Sequence, residues 1–122
     1  MAQDITDIEK AARLMGYELS EWHPPAMKHL GATINGGGKA KMFFNPYTNK
    51  ADLMDLECEL GVDVSWDGHK EAVSAEIWKH GLLEFMSLEE VSDHPTKFAA
   101  RAEAVIAVCV QIYDAKYGKD GE

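Results

Sequence analysis

Between residues 52 and 93 the sequence has only two basic side chains, Lys70 and Lys79, against twelve acids, a net charge of −10. Phosphate backbones and anionic bilayers are held by clustered Lys and Arg, so this scarcity argues against nucleic acid and against a membrane surface as direct partners. The flanking regions nearly balance, at +1 for residues 1–51 and 0 for residues 94–122, so the middle third carries the chain's net −9. A basic protein is the partner class that this charge favours. Cysteine is scarce too. Cys58 and Cys109 are the two present, and both fall in helical stretches among apolar neighbours, which predicts reduced, buried thiols and no disulfide. No run nears the roughly 18 apolar residues of a membrane helix; the longest, Ala104 to Val110, has seven. Met1 to Lys10 is polar with three acids, unlike a signal or transit peptide, so a cytoplasmic location is expected. What is present is ample apolar content, 46% of 122 residues. That suits a single domain over residues 1–122 that folds without metal or disulfide support.

Local signals place three helices and two hairpins. Thr6 and Glu9 form a capping-box pair ahead of a helix over Asp7–Met15, with Ile5, Ile8, Ala12 and Met15 on one face and Gly16 as its stop. Tyr17 to Trp22 reads as a short extended piece ended by Pro24-Pro25. His29–Ile34 and Lys39–Phe44 flank Asn35-Gly36-Gly37-Gly38, a hairpin turn. A second helix follows over Lys50–Leu60, with Thr48 or Asn49 as cap and Gly61 as stop. Leu53, Leu56 and Leu60 share an arc, Asp52, Asp55 and Glu59 form the neighbouring stripe, and Met54 and Cys58 form a second apolar patch. Val62–Trp66 and Glu71–Trp78 alternate as a second hairpin around Asp67-Gly68, with Trp66 and Trp78 expected in the core. Lys79–Val91 is equally compatible with a loop or a short strand. A long helix over Pro95–Tyr117, capped by Asp93, closes the order. Gln111 is its one polar residue between Glu103 and Asp114. A helix apolar nearly all round needs cover on two faces, and its small residues Ala104 and Ala107 favour cover from within the chain over a dimer contact. The expected fold is therefore α/β: a small sandwich of three helices with a mostly antiparallel sheet of about four strands.

Motifs that carry chemistry are missing. Gly36-Gly37-Gly38-Lys39 has Thr33 and Ala40 where a phosphate loop needs Gly and Ser or Thr. His23, His29, His69, His80 and His94 show no zinc-site spacing, and neither cysteine has a neighbouring base. No cofactor, metal site or catalytic residue is expected, and the sequence leans away from an enzyme. The acids of 52–93 read first as a solvated surface.

Three stretches, Ala11-Ala12-Arg13-Leu14-Met15-Gly16-Tyr17, Phe44-Asn45-Pro46-Tyr47-Thr48 and Thr96-Lys97-Phe98-Ala99-Ala100-Arg101-Ala102, resemble the phage ABA sandwich domain family. The Gly-rich hairpin at 29–44 and the segment 79–92 look longer than the family usually has. The resemblance implies a phage or prophage origin, a compact α/β sandwich and no activity or functional residue that transfers. Together these readings lead to an accessory protein that works by binding in the bacterial cytoplasm. Its acidic surface, Asp52, Asp55, Glu59, Asp63 and Asp67, would dock on a basic host protein, as an inhibitor of one that binds nucleic acid. The alternative is a small-ligand or nucleotide binder using Lys39, Tyr47 and Trp66. A monomer is favoured over a homodimer.

Overall fold

The computed structural model describes residues 6–17, 32–35, 41–67, 69 and 71–117. Among the described residues three helices and five strands follow one another: α1 (Asp7–Leu14), β1 (Ala32–Asn35), β2 (Lys41–Phe44), α2 (Lys50–Leu60), β3 (Asp63–Trp66), β4 (Ala72–Lys79), β5 (Leu82–Glu90) and α3 (Lys97–Tyr117). The class is α/β, as expected, but the strands divide between two antiparallel sheets rather than one. β1 pairs with β2, and β3, β4 and β5 pair in that order. Gly36 to Gly38 of the expected hairpin turn, Lys39 and the stretch around Trp22 lie outside the described residues.

α1 begins as its sequence dictates. Thr6 Oγ1 accepts from the Glu9 N–H at 3.2 Å and Glu9 Oε1 accepts from the Thr6 N–H at 3.0 Å, so two of the unpaired N-terminal donors are satisfied reciprocally. Gly16, at φ +84°, follows the C-cap Met15. α2 is capped by Asn49, whose side chain accepts from the Asp52 N–H at 3.1 Å, and it ends on left-handed Gly61.

α3 starts two residues later than expected. His94 precedes a proline and is held extended at φ −132°, ψ 154°, because the pyrrolidine ring disfavours helical backbone there. Thr96, not Asp93, is the cap: its Oγ1 accepts from the Ala99 N–H at 3.0 Å, while Asp93 ends a short 3-10 turn over Val91–Asp93.

The ambiguous stretch after Trp78 is a strand. His80, at φ 54°, and Gly81, at φ 77°, form a two-residue reversal with Lys79 opposite Leu82. Paired positive φ values give the turn a twist that matches the strands it joins. Trp78 then faces Leu83 and Ile77 faces Phe85, leaving Glu84 as the extra residue of a bulge.

The core lies between the three-stranded sheet and the helices. Val73, Ala75 and Ile77 point inward from β4, with Leu53 and Leu56 of α2 and Ile8 of α1 in the same buried cluster. α3 packs on β4, on β5 and also on α1, which accounts for its breadth of apolar surface. Ala104, Val105 and Val108 are fully buried, and Ala107 and Val110 are half-buried. Among the described residues, two ion pairs tie the helices together. Lys10 Nζ meets Asp114 Oδ1 at 3.0 Å between α1 and α3, and Arg101 donates from Nε and Nη2 to the two Glu57 carboxylate oxygens, at 2.9 and 2.6 Å, between α3 and α2. Glu57 was hidden in the sequence among the acids of α2, yet it is buried with Leu53 and Leu56. The Arg101 pKa is raised, first by its hydrogen bond to Glu57.

Two expectations of burial fail. Cys58 is exposed, as is its neighbour one turn earlier, Met54. The buried side of α2 is the arc of Leu53, Leu56 and Glu57, and Met54 and Cys58 lie off it. Trp78 is 49% exposed, because β4 alternates and Ile77 takes the inward place, whereas Trp66 packs half-buried against the core.

Candidate protein-docking face

The two faces of the three-stranded sheet follow from period-two alternation and strand register. Val73, Ala75 and Ile77 are buried, so Phe85, Ser87 and Glu89, which stand opposite them, share the inner face. The outer face carries the alternate residues: Ser74, Glu76 and Trp78 on β4, opposite Leu88, Met86 and Leu83 on β5. On β3, Asp63 stands opposite Glu76 and Ser65 opposite Ser74.

That outer face is apolar where a solvated strand would be polar. Trp78, Leu83, Met86 and Leu88 are 49%, 43%, 40% and 59% exposed and adjoin one another across two strands. Large side chains gathered this way mark interaction surfaces, whereas isolated ones are ordinary. Acids border the stripe: Glu76 beside Met86, Asp63 beyond it, and Glu90 past Leu88. The Trp78 indole N–H donates to Glu76 Oε1 at 3.3 Å, which holds the ring along the acidic margin. At the hairpin end Lys79 Nζ and Glu84 Oε1 are 3.8 Å apart. β5 is an edge strand of this sheet, and Gln111 of α3 donates to the Met86 carbonyl at 2.7 Å, occupying one acceptor on that strand.

Sequence reasoning missed Leu83, Met86 and Leu88. Their signal was present but inverted. Over residues 86–89 the inward residues Ser87 and Glu89 are polar and the outward residues Met86 and Leu88 are apolar, so the segment did not read as an ordinary half-buried strand.

The expected acidic residues divide between several tasks. Asp52 is half-buried, and its Oδ2 accepts from the Asn45 N–H at 2.9 Å, fixing the turn before α2. Asp55 and Glu59 are exposed on α2. These three carboxylates surround Tyr17, whose pKa is raised first by burial and then by Asp55, Asp52 and Glu59. Asp63 sits on the outer face of the sheet. Asp67 organises the loop after β3, with its Oδ1 accepting from the Glu71 N–H at 2.7 Å and the His69 N–H at 3.1 Å. Those backbone donors, Glu71 first, hold its carboxyl below the ordinary 3.8.

Of the three expected ligand residues, the two within the described range, Tyr47 and Trp66, do not line one groove. Lys39 is outside the described residues, and Trp66 packs on the sheet's inner side. Tyr47 instead lines a groove of about 530 Å³ with Glu89, His94 and Glu103. There His94 Nε2 is 2.8 Å from Glu89 Oε1, so the imidazole partners a carboxylate five residues away rather than adjacent Asp93. The Tyr47 pKa is pushed well up, first by burial and then by Glu103. Among the described residues no group of three His, Cys, Asp or Glu side chains is placed to hold a metal ion. Among them, too, no helix is long and apolar enough to cross a membrane. No family model matches the chain, and no curated protein or solved structure matches it either.

Proposed function

We propose that this protein acts by binding another protein through the outer face of its β3–β4–β5 sheet, with no chemical step of its own. The observation that carries the reading is the adjoining, exposed stripe of Trp78, Leu83, Met86 and Leu88 beside Glu76, Asp63 and Glu90. Apolar area supplies affinity, roughly 25 cal/mol per Å² removed from water, and the acids select partners by sign and steer their approach. Asp55, Glu59 and Asp67 stand outside this face and add only to the chain's net negative charge. On the resemblance to phage ABA sandwich domains, the partner is a basic protein of a bacterial host and the encounter takes place in its cytoplasm. Small-ligand binding has less support, because Tyr47 and Trp66 do not line one groove.

Affinity capture from a bacterial lysate tests this, run in parallel with wild type, Leu88→Asp and Asp55→Asn, then repeated with each captured protein purified. A protein retained by wild type and Asp55→Asn but lost by Leu88→Asp supports the sheet face. Equal retention by all three sinks it.

A further inference from the structure

The outer face has a shape as well as a composition. Its apolar stripe follows β5 from Leu83 to Leu88, five residue steps of about 3.3 Å, or roughly 17 Å. Its acids lie to one side and at one end. Glu76 is one strand over from Met86 and Asp63 two strands over, at roughly 5 and 10 Å by the usual strand spacing, and Glu90 closes the far end. An α-helix is about 10 Å across and rises 1.5 Å per residue. Seated on the stripe, about eleven of its residues span the apolar length, and its flank overhangs Glu76 and Asp63.

We infer that this face accepts a basic amphipathic α-helix of a partner protein, apolar side on Trp78, Leu83, Met86 and Leu88, lysines or arginines over Glu76 and Asp63. This rests on the protein-binding reading above. Other occupants fit worse. A second copy in a two-fold contact sets a patch against itself, so the acids Asp63, Glu76 and Glu90 would face a surface with the same excess of acid, and Lys79 is already beside Glu84. A docked strand needs free acceptors along the β5 edge, and Gln111 occupies the Met86 carbonyl.

The test titrates the full chain with three labelled peptides of roughly 18 residues, five helical turns. One places leucine and lysine at helical spacing, one scrambles the same composition, and one replaces lysine by glutamate. The leucine–lysine helix is expected to bind at least about tenfold tighter than its scramble. Leu88→Asp, at an unchanged urea midpoint, should weaken it by about tenfold or more. Asp63→Lys with Glu76→Lys should weaken it comparably and admit the glutamate peptide. Asp55→Lys with Glu59→Lys on α2 should change it by less than about twofold. Equal binding of the scramble, or an equal loss from the α2 reversal, means that bulk charge alone is at work and overturns the inference. If no peptide binds while a purified partner still distinguishes wild type from Leu88→Asp, the face docks a protein of other chemistry; if neither happens, both readings fall. A photo-crosslinking amino acid in place of Leu88 covers the remaining occupants. A crosslink to residues 18–31 of the same chain, or to a second copy, also overturns the inference.

Discussion

The two faces of the β4–β5 hairpin come from alternate residues of the same strands, yet their chemistry is held for different reasons. Inside, Val73, Ala75 and Ile77 are buried against α3, and each Val or Ile contributes about 1.5–3 kcal/mol by leaving water. Outside, Trp78, Met86 and Leu88 are as apolar but keep 40–59% of their surface in water, so they add less to folding. Side chains that a fold does not use, gathered on one face beside acids, are better explained by something they touch. The contrast teaches that apolarity alone does not identify a core. Strand parity relative to α3 does.

The largest expected effect tests that contrast directly. Val73→Asp should lower unfolding stability by about 3 kcal/mol or more, since a carboxylate there would be buried without a partner. Leu88→Asp, on the opposite face, should stay within about 0.5 kcal/mol of wild type. Urea unfolding measures both, and similar losses would erase the distinction between the faces.

The ion pairs sharpen it next. Glu57→Ala should cost about 1–2 kcal/mol, because two charge-assisted bonds to the partly exposed Arg101 are lost. Glu84→Ala, in the exposed pair with Lys79, should cost under about 0.5 kcal/mol. A double-mutant cycle of Glu57 with Arg101 that gives no coupling would refute the link between α2 and α3.

The thiols give a kinetic version of the same comparison. Burial pushes the Cys109 pKa up to about 12, and the side chain has no access to solvent, whereas Cys58 is exposed. One thiol per chain should therefore react quickly with a chromogenic disulfide at mildly alkaline pH, and the second only on unfolding. Fast reaction of both would contradict the placement of Cys109 within α3's covered side.

The smallest effect concerns pH. The depressed Asp67 carboxyl is the folded-state form, so its contribution to the 67–71 loop is fully present above the ordinary value of 3.8. That contribution is lost as pH falls through the lower folded value. A carbon-detected NMR titration should find Asp67 ionising below 3.8, and Asp67→Ala should remove that acid-sensitive loop change. A midpoint at or above the ordinary value would exclude the backbone hydrogen bonds as its cause.

Much of the local structure was legible in the residues. Thr6 and Glu9 announced their capping box, Asn49 and Gly61 bracketed α2, and the alternation of 73, 75 and 77 gave β4 its buried side. These signals work over three or four residues, where propensity and hydrogen-bond geometry act without help from distant chain. The His80-Gly81 reversal was legible in principle, since histidine is among the side chains that tolerate a positive φ, but the strand after it had its polarity reversed.

By itself, then, the sequence determined the α/β class, the caps of α1 and α2, their glycine stops and the excess of acid in the middle third, all properties of neighbouring residues or of simple counts. Tertiary structure alone decided which apolar residues form the core and which acids are spent on structure. Glu57 is distinguished from Glu59 only by Arg101, 44 residues away, and Asp52 from Asp55 only by the Asn45 backbone. Met86 and Leu88 are distinguished from Val73 and Ile77 only by the side on which α3 lies. Burial and pairing depend on what the fold brings near, and no local pattern along the chain carries that information.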